Sequence, residues 1–266
     1  MAQSSLTQPS RRRSPARRLL HNLTRWISID YFKSMRRRIG DLEVAVDTLL
    51  FSPTFVFDES VGLNGQTGRK QIFRSLAKEC RFDRIIETGT FIGDSAGWLQ
   101  HVSGLPVYSS EINRRFHALA CKRLATIPAV HLTLGNSVDF LRQLADSSDR
   151  GSFPFFYLDA HWYKDLPLAR ELQVICNAWE RFVIMVDDFE VPGDEGYRFD
   201  DYGFRRSLTV DAFRRIFERL SLQMYFPALP SRQETGARSG SIVLARKGST
   251  EEKILARLPE LNPSNS

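Results

Sequence analysis

The sequence predicts an α/β fold: a doubly wound, mostly parallel sheet of seven strands with helices on both faces. Three observations carry this. Short continuous apolar runs, the form taken by strands buried on both faces, recur along the chain. Segments of helical periodicity separate them, which implies parallel strands joined by right-handed crossovers. Five successive runs end in polar or acidic groups: Glu87, Glu111, Gly135–Ser137, Asp159–His161 and Asp187–Asp188. In such sheets ligands bind outside the carboxyl ends of the strands.

Residues 1–26 read as a basic disordered leader. Residues 1–40 carry ten Lys/Arg against Asp30 alone, a charge of +9, and the other 226 residues sum to −3. The basicity therefore belongs to the leader, and the body gives no reason to expect a specific nucleic-acid partner. Such a leader suits a solvated arm, contact with an anionic surface, or a transit peptide. The expected compartment is cytoplasmic, or organellar if the leader is a transit peptide. Cys80, Cys121 and Cys176 have no metal-ligand spacing and are expected to be reduced, buried thiols.

Residues 27–65 read as a helical extension or lid. Tyr31, Met35, Ile39, Leu42, Val46 and Leu49 recur at helical spacing, an amphipathic pattern that would cover the domain or a partner. A loop with Pro53, Gly62 and Gly65 follows. The main domain is expected over 66–248, beginning with a helix from Gln66 to Cys80. Strands are then predicted at 84–87, 106–110, 130–134, 153–158, 182–186, 222–226 and 241–245. Helices fill the gaps at 94–102, 113–125, 137–145, 166–179 and 209–220. A polar Gly/Asp-rich insertion, 191–206, follows the fifth strand, and 249–266 reads as a tail with a frayed Pro/Asn/Ser end.

The most informative corner is Glu-Thr-Gly-Thr-Phe-Ile-Gly at 87–93, where a strand passes through a glycine turn into a helix. Glycine allows close backbone approach and positive φ. The spacing is neither Gly-x-Gly-x-x-Gly nor the P-loop pattern, and an acid stands where a pyrophosphate would be repelled. Glu111 lies 24 residues after Glu87, near the ~20-residue offset of a ribose-binding acid. Asn136 and Ser137 would read an adenine edge or cap the next helix.

With Tyr-Leu-Asp-Ala-His-Trp at 157–162, these motifs resemble the class I S-adenosylmethionine-dependent methyltransferases over roughly residues 66–246. They are closest in pattern to the metal-dependent small-molecule O-methyltransferases of the sugar and macrolide type and to the cephalosporin-hydroxylase-like group. The resemblance implies a Rossmann-like domain and an EC 2.1.1 activity on a small hydroxylated acceptor. The expected partners are a small-molecule acceptor and, separately, a second copy of the chain in a homo-oligomer. Cofactor contacts would come from Glu87, Thr88, Gly89, Thr90, Gly93 and Ser95, from Glu111, Asn136 and Ser137, and from Asp159. Asp159, Asp187 and Asp188 would hold a divalent metal such as Mg²⁺, and His161 would act as general base beside Asp159. Two rival readings keep the fold: an NAD(P)-dependent oxidoreductase, and a catalytically inactive methyltransferase-like binding protein.

Overall fold

The computed structural model describes residues 35–36, 38–147, 151–161, 166–203 and 206–264. Compactness divides the chain at Thr48, into residues 1–48 and Leu49–Ser266. The loop following the first helix therefore belongs with the body, and not with an extension ending at residue 65. Helix α1 covers 35–36 and 38–51 of the described residues.

The body opens with α2 (Thr67–Cys80) and then alternates: β1 (Arg84–Thr88), α3 (Asp94–Ser103), β2 (Val107–Glu111), α4 (Arg114–Arg123), β3 (Val130–Leu134), α5 (Ser137–Ser147), β4 (Pro154–Leu158), α6 (Leu168–Ala178) and β5 (Val183–Asp187). After the insertion come α7 (Val210–Arg219), β6 (Leu222–Pro227), β7 (Ser241–Arg246), α8 (Thr250–Leu255) and β8 (Leu261–Pro263). Each strand and helix expected between 66 and 246 is present, with ends moved by a few residues.

The sheet has eight strands in the order β3-β2-β1-β4-β5-β7-β6-β8, one more than expected. Strands β1 to β5 pair in parallel, and β7 runs antiparallel between β5 and β6. The segment beyond 248 is thus no tail. Its α8 packs into the core through Leu255, and β8 pairs Leu261 with Pro227 at the sheet edge.

Side chains alternate between the two faces of a strand, and here that alternation divides the core. Ile85, Phe155, Tyr157 and Met185 pack with Ile72, Phe73 and Trp98, the layer of α2, α3 and α8. Ile86, Phe156, Ile184 and Val186 pack with Leu172, Ile175, Phe213 and Phe217, the layer of α5, α6 and α7. This parity decides which strand-end acid points where. Glu87 and Asp187 continue the rows of Ile85 and Met185 and so face α2.

Of the cysteines, Cys80 and Cys176 are buried, but Cys121 is exposed on α4, contrary to expectation. Among the described residues no helix is long and apolar enough to cross a membrane.

Candidate active site

At the end of β1, Glu87 is fully buried. One of its oxygens accepts from the Ser109 hydroxyl, and the other has no partner among the described residues. Burial pushes its carboxyl up to about 8, against the hydrogen bond from Ser109. The Thr88 hydroxyl beside it is also buried and unpartnered. Gly89 follows at φ 91°, and a Cβ there would lie 2.3 Å from the Asp159 carbonyl oxygen. Only glycine lets the ends of β1 and β4 meet so closely, an approach fixed by Asp159 N–H donating to the Thr88 carbonyl at 2.8 Å. Gly93, at φ 88°, turns the chain into α3.

The other small polar residues of this turn hold the turn itself. The hydroxyls of Thr90 and Ser109 are 2.6 Å apart, and Ser95 Oγ accepts from Leu63 N–H at 3.0 Å. Glu111, at the end of β2, is nearly buried; one oxygen accepts from Phe91 N–H (2.8 Å) and the other from Asn113 N–H (2.7 Å). Burial raises its pKa, and these backbone donors pull the other way. A carboxylate offers about four acceptor positions, so acceptor capacity remains at the open end of β2. Asn136 is exposed and takes the capping alternative: its Oδ1 accepts from Asp139 N–H at 2.9 Å. Ser137, buried, begins α5.

The ends of β4 and β5 differ from expectation. Asp187 does not join the candidate metal ligands. It is fully buried and ion-paired with Arg69 of α2, also buried. It accepts further from the Tyr157 hydroxyl, from Asn64 Nδ2 at 2.9 Å and from Asp188 N–H at 2.6 Å. Burial alone would lower the pKa of Arg69, but Asp187 and Tyr157 raise it, so the guanidinium stays charged. Arg69 also donates to the Ser239 carbonyl (2.8 Å) and the Gly240 carbonyl (3.1 Å), tying α2 to the segment that enters β7.

The group that does come together is Asp159, His161 and Asp188, whose ligand atoms all lie within 4.8 Å of one another. Burial, then repulsion from Asp187 and Asp188, holds the Asp159 carboxyl well above the usual carboxylate range. Burial and Asp187 push Asp188 up to about 7, with Arg69 opposing. Burial lowers the pKa of His161, so its ring is neutral near pH 7. Its Nε2 lies 3.0 Å from the Asp187 carbonyl oxygen. A carbonyl can only accept, so Nε2 carries the proton and Nδ1 the lone pair. That Nδ1 is buried and has no partner among the described residues. Asp188 takes a left-handed conformation, φ 49°, at the end of β5.

The insertion is strapped to this centre. Asp200 N–H donates to the Asp188 carbonyl at 2.9 Å, and the Tyr202 hydroxyl lies between the His161 carbonyl (2.7 Å) and the Asp200 carboxylate. Sequence reasoning missed Asn64, Arg69, Tyr157, Asp200 and Tyr202. One of these carried a signal: Arg69 stands three residues before Ile72 in the apolar stripe of α2, where a charge must find a buried partner.

No protein-family model and no curated protein matches the sequence. Solved structures do. An O-methyltransferase from Bacillus cereus, in complex with SAH, superposes with a TM-score of 0.51 at 17% identity, covering 78% of this chain and 89% of its own. The O-methyltransferase TomG from Streptomyces achromogenes, involved in tomaymycin synthesis and solved with SAM, gives 0.49 at 20% identity, covering 78% and 90%. At such identities likeness speaks for the fold, and the chain has the Rossmann-like α/β fold of the Bacillus cereus O-methyltransferase.

Proposed function

We propose that the protein is an S-adenosylmethionine-dependent methyltransferase acting on a hydroxyl of a small acceptor, assisted by a divalent cation. The observation that carries the reading is the row of acids at the carboxyl ends of the strands: buried Glu87 with an unpartnered oxygen, Glu111, then Asp159, His161 and Asp188. The cofactor would supply an electrophilic methyl group. Glu87 would take the ammonium of its amino-acid tail, Glu111 the ribose hydroxyls, and the Gly89–Gly93 turn the space for its backbone.

Asp159, His161 and Asp188 fit a divalent cation. Two clustered carboxylates with raised pKa values call for positive charge, and the His161 ring lies beside them, its Nε2 3.9 Å from Asp159 Oδ1. The Asp187 carbonyl, 3.0 Å from Nε2, fixes the orientation of the ring. A cation there would lower the pKa of an acceptor hydroxyl. The remaining work of the chain is alignment: Arg69 and Asp187 hold the end of β5, and Asp200 and Tyr202 hold the insertion beside it. Without a cation, the neutral imidazole of His161 would be the proton acceptor beside the acids. A mixed carboxylate–imidazole set accepts Mn²⁺ as well as Mg²⁺. Calorimetric titration with Mn²⁺ should show one site in the wild type, weakened at least about tenfold in Asp188→Asn. Failure of the wild type to bind either ion would remove the metal from the account.

Glu87 gives the cofactor claim a pH signature. Near pH 7 its carboxyl, with a pKa of about 8, is protonated in the free protein. Pairing with an ammonium requires it to ionise, so the bound state holds fewer protons. Affinity for S-adenosylhomocysteine should therefore rise between about pH 6 and 7.5, by up to roughly tenfold per unit, and Glu87→Gln should abolish the slope. Equilibrium dialysis at the two pH values decides it; a flat or falling profile in the wild type counts against the assigned role. The same shift has a stability consequence. Between the ordinary 4.5 and about 8 the folded chain keeps a proton that the unfolded chain has lost, so the unliganded protein loses stability as pH rises through that window.

A further inference from the structure

Helix α1 leaves a regular apolar row exposed. Ile39, Leu42, Val46 and Leu49 are each about half exposed (51, 51, 50 and 46%), and Met35 is 40% exposed. From Met35 onward they are spaced 4, 3, 4 and 3 residues apart, the a/d spacing of a two-stranded coiled coil, with Ile39 and Val46 at a and Met35, Leu42 and Leu49 at d. The sequence carries the row back to Phe32, at the preceding a position, which lies outside the described residues. β-Branched residues at a with leucine at d favour parallel pairs.

The charges beside the row agree. Arg38 falls at g and Glu43 at the following e, both exposed. In a parallel in-register pair, g of one helix faces the following e of the other, so Arg38 would meet Glu43 twice across the seam. An anionic bilayer fits less well. Asp41, Glu43 and Asp47 are interspersed along the two turns that carry the apolar row, where an interfacial helix presents Lys and Arg.

We infer that α1 pairs with α1 of a second copy of this chain, in parallel and in register. The five a/d positions of the described helix make a short seam, so the dimer is reversible and its population rises with concentration.

Sedimentation velocity on the full chain over a wide concentration range tests the pairing. The wild type should pass from monomer to dimer, and Leu42→Asp/Val46→Asp should stay monomeric. Both positions are half exposed, and an unchanged thermal melt would show that the variant folds. Arg38→Glu should weaken the dimer, and adding Glu43→Arg should restore it. For orientation, Leu42→Cys in a Cys121→Ser background should cross-link to itself under oxidation, since d faces d only in a parallel register. A wild type monomeric throughout overturns the inference, whether or not it sediments with anionic vesicles. So does a dimer that survives the double aspartate variant or fails to cross-link at residue 42.

Discussion

Replacing Glu111 by alanine is expected to weaken S-adenosylhomocysteine binding by roughly 100-fold, with little change in the melting temperature of the free protein. The size follows from the proposed role. Two hydrogen bonds from ribose hydroxyls to a carboxylate are lost, each worth about 1.5–3 kcal/mol, and water recovers part of that. The neutral effect on folding follows from where the carboxylate sits. Its present partners, Phe91 N–H and Asn113 N–H, lie at the open end of the sheet and are only part-buried, so water can replace it. Glu111→Gln should fall between, since the amide keeps one acceptor. Dialysis or calorimetry on the three proteins, with melting curves beside them, makes the check. A variant that binds as tightly as wild type would remove Glu111 from the site.

Replacing Arg69 by methionine should cost about 3–5 kcal/mol of stability, because it strands the Asp187 charge in the core. For a body of this size that corresponds to a fall of the order of 10 °C in melting temperature. The loss is not the worth of the ion pair. Taking both charges out of water is costly, so Arg69→Met with Asp187→Asn should recover much of what the single change loses. The single variant should also disturb the site, since Asp187 precedes Asp188 and its carbonyl sets the His161 tautomer. Melting curves of the two single variants and the double one form a cycle. Additive losses would mean that the two residues do not act as a pair.

Why some of this was legible from sequence, and some not, follows from what each residue answers to. The strands of the body stand out because a parallel sheet covered on both faces needs unbroken apolar runs such as Phe155–Leu158 and Val183–Val186. The glycine turn and Glu111 are local too: each owes its place to a strand end. Asp187 and Asp188 look equivalent in sequence, yet the first pairs with Arg69 of α2 and the second groups with Asp159 and His161. That distinction appears only once the facing helix is known to offer Arg69. Asn136 could be read as cap or adenine contact, and the cap holds because Asp139 N–H lies within reach. Strand β8 was invisible, since Leu261-Asn-Pro263 has no apolar run and pairs only because β6 leaves an open edge. The roles of Asp200 and Tyr202 rest on contacts made across an irregular insertion, where periodicity gives no signal.

Calorimetric titration of the wild-type protein with S-adenosylhomocysteine at about pH 8 bears most directly on the central claim, that the acidic carboxyl end of this sheet is a methyl-donor site. The predicted result is saturable binding at one site per chain, weakened by Glu111→Ala and accompanied below pH 8 by proton release that Glu87→Gln removes. No heat of binding from a protein with an intact melting transition, with binding of a nicotinamide dinucleotide in its place or of neither, would contradict the account.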